Sequence, residues 1–101
     1  MASGQIRMTP DKMRTASKKA NGYADKLQDV RTGLETLLQT LEKEWEGKAI
    51  EGYKIRYNKI KPVLKNAQEL VMEIRDNLKT TASILEDTDQ KIKGEFEKNS
   101  N

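Results

Sequence analysis

The chain has 101 residues, 35% of them hydrophobic, 5% aromatic and 35% charged. A chain of that size is at most one domain, near the lower limit for a self-sufficient core, and this balance belongs to long solvated helices with narrow apolar seams. With neither cysteine nor histidine, it is excluded from disulfide frameworks, thiolate chemistry and the commonest zinc and general-base roles, and its net charge is only +3.

The first nine residues hold no apolar stretch long enough for a secretory leader, and Ala2 stands where myristoylation needs glycine. No run of about twenty apolar residues follows. Helix one is expected from Thr9-Pro10-Asp11, a capping hydroxyl, a proline where no donor is needed and an acid at the positive helix end. From Met13 the series Ala16, Ala20, Tyr23, Leu27, Val30, Leu34, Leu37, Leu41 keeps an alternating spacing of three and four, the signature of a coiled-coil seam. Gly22 and Gly33 inside it each cost roughly 1 kcal/mol against alanine and are expected to mark close helix contacts.

Trp45-Glu46-Gly47 interrupts the pattern near residue 44, with Trp45 read as a hydrophobic plug and Gly47 as the left-handed residue closing helix one. Helix two, over about 48–94, repeats the spacing through Tyr53, Tyr57, Ile60, Leu64, Ala67, Val71, Ile74, Leu78, Thr81, Leu85, Thr88 and Ile92. Pro62 is expected to kink it without breaking it. So short a break joins antiparallel helices, which predicts an all-α two-helix hairpin with flexible ends. Leu27, Leu34, Leu37, Leu41, Tyr57, Ile60, Leu64, Val71, Ile74 and Leu78 are read as the seam, within the hairpin or of its dimer. Ala24 and Leu38 on helix one and Val63, Leu70 and Ile84 on helix two widen each stripe beyond what one facing helix covers. Helix two also overhangs by roughly 15 Å. Both features predict dimerisation into a four-helix bundle.

Two heptad-patterned helices around a central Trp45-Glu46-Gly47 turn resemble the WXG-motif family, the Esx-type small proteins exported by type VII secretion. The likeness runs from Thr9-Pro10 to Phe96. Near the C-terminus, Leu85, Asp89, Ile92 and Phe96 match the apolar, acid, apolar, apolar pattern that Gram-positive members outside the mycobacterial branch carry in their export signal; the alternative is continued dimer seam. No tyrosine follows Tyr57, so the mycobacterial tail signal is missing and a Firmicutes-type member is implied. The resemblance implies synthesis in a Gram-positive cytoplasm and secretion without a cleaved signal peptide. It also implies a homodimer or a heterodimer with a paralogue, and contact with the type VII secretion ATPase.

Two rival readings remain. Residues 48–65 hold six basic side chains and one acid, with Tyr53 and Tyr57 interleaved, which suits a cytoplasmic adaptor or nucleic-acid-associated dimer. Both tyrosines fall in the apolar seam, however, so nucleic-acid binding is not expected. Stable membrane insertion is not expected either, because the stripes are needed for packing. Glu86, Asp87 and Asp89 lack the glycine-containing loop of a calcium site, and no phosphate loop or nucleophile elbow is present. The chain is read as a non-enzyme without metal or cofactor that acts through protein–protein interaction as effector, co-secreted chaperone or adaptor.

Overall fold

A computed structural model describes residues 8–45 and 47–99. Helix α1 spans Pro10–Glu44 and α2 spans Lys48–Asn99. They lie antiparallel as an elongated hairpin of 82 × 30 × 15 Å. The 52 residues of α2 account for the long dimension, at about 1.5 Å of rise per residue.

The ends of α1 follow from local chemistry. Thr9 is extended, and its hydroxyl accepts the Lys12 amide at 3.2 Å while Pro10 opens the first turn. At the other end Trp45 is extended and donates its amide to the Leu41 carbonyl at 2.7 Å. Gly47 has φ +145°, a backbone conformation glycine adopts freely and other residues resist. It stands immediately before α2, so it opens the second helix; the capping residue that ends α1 is Trp45, not Gly47. Past Pro62 α2 continues as one helix, and Asn58, whose carbonyl loses its amide donor there, is exposed to water. It also passes Gly94 and runs to Asn99, beyond the end near 94 suggested by sequence, because no proline follows to stop it.

Contact between the helices uses a line on α1 displaced from the one expected. The buried residues of α1 are Met13, Ser17, Ala20 and Ala24, followed by half-buried Leu27, Leu38 and Leu41. Opposite them Ile50, Tyr57 and Ala82 are buried, and Leu64, Val71, Leu78 and Leu85 half-buried. Tyr23, Val30, Leu34 and Leu37, expected in the seam, are exposed, as are Tyr53, Ile60 and Ile74 on α2. The reason is geometric: each helix has an apolar arc wider than one neighbour covers. The neighbour takes the edge where small side chains allow close approach, and Ser17, only 1% exposed, donates its hydroxyl to the Arg75 carbonyl of α2 at 2.9 Å.

Gly22 and Gly33 do not mark close contacts. A Cβ added at either would meet nothing within 4 Å. Both face outward, where a small residue gives the hairpin no packing advantage.

Candidate functional site

The hairpin has two unlike long faces. On one, a polar ladder crosses the seam: Lys54 to Glu42 at 2.7 Å, Lys61 to Glu35 at 3.0 Å, Gln68 to Gln28 at 3.2 Å and Arg75 to Asn21 at 2.7 Å. Each step of seven along α2 is matched by a step of seven back along α1. A repeat held over that length is the 3.5-residue period of a left-handed coil, with every rung fixing the same register. Arg14 and Glu86 close the ladder with a bidentate pair at the free end.

Charge and burial meet at one rung. The Tyr57 hydroxyl lies 3.2 Å from the Arg31 carbonyl and 3.0 Å from the Glu35 carboxylate, and can donate to one of them at a time. Lys61, then Tyr57, hold the Glu35 carboxyl below its ordinary value of 4.5, and Arg14 does the same for Glu86. Burial, then Glu35, push the Tyr57 hydroxyl up. Lys54 and Lys61 are thus tied to acids of α1, which removes two of the six cations in residues 48–65 from an open phosphate-binding stripe.

The opposite face is apolar. Tyr23, Val30, Leu34 and Leu37 of α1 lie beside Tyr53, Ile60 and Ile74 of α2; Leu37 is 52% exposed and Ile60 50%. Near the turn Leu34, Leu37, Tyr53 and Ile60 line a groove of about 350 Å³ with Leu38, Leu41, Arg56 and Tyr57. Isolated apolar residues on a surface are ordinary, but a contiguous stripe along both helices marks a contact surface. Trp45 sits at its end. It is half-exposed, not a plug, and its ring lies 6.2 Å from that of Tyr53 at 57°. Tyr53 therefore belongs to this outer face and only Tyr57 to the seam. Glu46 lies outside the described residues.

The third feature is the overhang. Following the ladder's register, α1 begins level with Glu86, so α2 runs on past the start of α1 over 87–99, about 20 Å. Leu85 is half-buried under the start of α1, Asp89 is exposed, and Ile92 and Phe96 are 60% and 75% exposed. Leu85 and Ile92 continue the heptad line of Tyr57, Leu64, Val71 and Leu78; Asp89 and Phe96 continue that of Arg75 and Ala82. All four lie on the face of α2 that α1 covers elsewhere; Leu85 is still under the start of α1, and Asp89, Ile92 and Phe96 lie beyond it and are exposed.

A Trp-x-Gly element at the turn of a two-helix hairpin decides the assignment. The family model described as proteins of 100 residues with WXG matches residues 5–90. The chain belongs to the WXG100 family. Protein YukE of Bacillus subtilis is 29% identical over 90 residues, covering 89% of this chain and 93% of its own. The type VII secretion system extracellular protein A of Staphylococcus aureus is 23% identical over 91 residues, covering 90% and 94%. Among solved structures, Geobacillus thermodenitrificans EsxA superposes with a TM-score of 0.83 at 31% identity, covering 88% of this chain and 96% of that one. A mutant EsxB of Bacillus anthracis shares the fold at a TM-score of 0.76 and 21% identity. This WXG100 chain thus combines the family's hairpin with a polar ladder on one face and an open apolar stripe on the other.

Proposed function

We propose that the chain is a type VII secretion substrate, exported as a folded helical dimer, and that it acts by protein recognition and not by catalysis. Its relatives include a protein named as an extracellular component of that system, which supports the export reading. The observation that carries the mechanism is the exposed continuation of the hairpin seam on the overhang, at Asp89, Ile92 and Phe96. Leu85, Asp89, Ile92 and Phe96 set one acid within an apolar ridge, the kind of helix face that an apolar groove takes up, and the groove assigned to it here is on the secretion ATPase. Trp45 and Gly47 shape the turn. The apolar stripe of Leu34, Leu37, Ile60 and Ile74 serves as the dimer surface, where a second hairpin, identical or paralogous, completes a four-helix bundle.

The experiment separates the two surfaces. A variant with Asp89→Ala, Ile92→Ala and Phe96→Ala is expected to remain dimeric by light scattering yet stay inside the producing cells. A variant with Leu37→Asp and Ile60→Asp is expected to become monomeric while keeping its helical content. Undiminished secretion of the first variant would remove the overhang from the export mechanism, and an intact dimer in the second would remove the stripe from assembly.

A further inference from the structure

At its free end the hairpin covers the first residue of the ridge on α2. Leu85, Asp89, Ile92 and Phe96 follow one another at intervals of four, three and four, a single stripe about 16 Å long at the usual rise per residue. Asp89, Ile92 and Phe96 are exposed, whereas Leu85 is half-buried. The ladder sets Lys54 against Glu42 and Arg75 against Asn21, and the same register puts Leu85 level with Asp11, in the first turn of α1. A groove that takes the stripe from end to end therefore meets that turn where it should meet Leu85.

The turn is lightly held. Thr9 caps it, its hydroxyl accepting the Lys12 amide at 3.2 Å and its carbonyl the Met13 amide at 2.9 Å. Across to α2, the Arg14 guanidinium donates to both carboxylate oxygens of Glu86, Nη2 to Oε2 at 2.9 Å, directly beside Leu85 in the chain. These two side chains are 40% and 39% exposed, so water screens the pair and keeps it weak. Before Ser17, Met13 is the one buried residue of α1; Ser17 itself is 1% exposed and tied to the Arg75 carbonyl, and there the helix becomes fixed. A helix end held by one buried side chain, a cap and a screened ion pair opens far more often than the whole molecule unfolds.

We propose that the first turn of α1, residues 10–14, is a lid on the export face, latched by the Arg14–Glu86 pair, and that the receiving groove takes the complete ridge from Leu85 to Phe96 only when the lid lifts. The inference rests on the overhang being the export face, and it makes Arg14 and Glu86 regulators of that face without belonging to it. The latched hairpin offers the groove three residues of the ridge and the lifted one offers four. The groove thus binds the lifted form more tightly, and its apparent affinity follows the fraction of molecules in which the lid is up. Such a latch keeps an apolar side chain covered until a groove is present to receive it.

Arg14→Gln removes the latch at little cost in helix propensity. Amide hydrogen exchange over residues 13–16 of the full chain is expected to quicken about threefold, as the loss of a screened ion pair allows, with exchange beyond Ala20 unchanged. The initial rate of secretion from producing cells is expected to rise by the same factor. Thr9→Ala loosens the lid from its other end, touches neither Glu86 nor the ridge, and is expected to act in the same direction, which keeps the test open if the first variant folds poorly. The exchanged pair, Arg14→Glu with Glu86→Arg, is expected to return both readouts to those of the unaltered chain. Faster exchange with unchanged secretion would overturn the lid, because the groove would then read Asp89, Ile92 and Phe96 alone. Unchanged exchange in Arg14→Gln would overturn the latch. Failure of the export reading is separately visible, as undiminished secretion of the Asp89, Ile92 and Phe96 variant.

Discussion

Between Met13 and Ala24, α1 meets α2 through small side chains; between Leu34 and Leu41 it meets α2 through leucines and tyrosines. At the first region Ala82 is fully buried, and a side chain as short as Ser17 reaches the backbone of the other helix. At the second, a backbone carbonyl of α1 is reached by the long Tyr57 side chain, and Leu34, Leu37, Tyr53 and Ile60 stay exposed around an open groove. Small residues let two helices seal against each other without help. Bulky ones leave a groove open beside the seam, whereas in the first region Tyr23 and Ile74 are exposed beside a seam that is closed; the groove is what a partner can use.

The contrast can be broken most severely at the sealed end. Ala82→Leu forces a large side chain into a contact with no spare room and is expected to cost about 3 kcal/mol, the upper part of the range for overpacking. Thermal unfolding followed by circular dichroism reads the loss directly, and an unchanged midpoint would mean that this end is not close-packed.

The two tyrosines sharpen the comparison with a smaller effect. Tyr57→Phe removes a half-buried hydroxyl from Arg31 and Glu35 and is expected to cost about 1 kcal/mol, as one net hydrogen bond does, whereas Tyr53→Phe is expected to be neutral. Equal effects in denaturant titrations would erase the distinction between seam and outer face.

Acid gives the smallest effect. Glu35 and Glu86 titrate below their ordinary value of 4.5, so the stabilisation they contribute is present above that value and is lost as the pH falls through the depressed values in the folded hairpin. Because both side chains are well exposed to solvent, the expected loss is a modest decline in unfolding midpoint between neutral pH and about pH 3. Glu35→Gln should flatten part of that decline; a variant with the same acid profile as the unaltered chain would show that the rung is not stabilising.

Much of this architecture was legible in the residues. Thr9-Pro10 announced the start of α1, the spacing of three and four announced two helices, and Trp45-Glu46-Gly47 announced the break between them. Less legible was which apolar line faces inward. Tyr23 and Leu37 obey the periodicity as well as Ala24 and Leu38 do, and a period alone carries no direction. The ladder of Glu42, Glu35, Gln28 and Asn21 was also present at intervals of seven, but a heptad of polar residues reads as a solvated face until its counterpart on the other helix is known. The overhang could be counted from helix lengths. That Asp89 and Phe96 continue the covered face of α2 could not, because it depends on the register between helices.

By itself, then, the sequence determined what is local: where each helix begins, where the chain reverses, and that more apolar surface exists than one hairpin can hide. Caps, glycine conformation and helical period act over a few residues and need no neighbour. Only the tertiary structure decided how that surface is divided between seam and open face, and where α1 stops covering α2. Those depend on which side chains are small enough to let the helix axes approach, a property of two segments together and of neither alone.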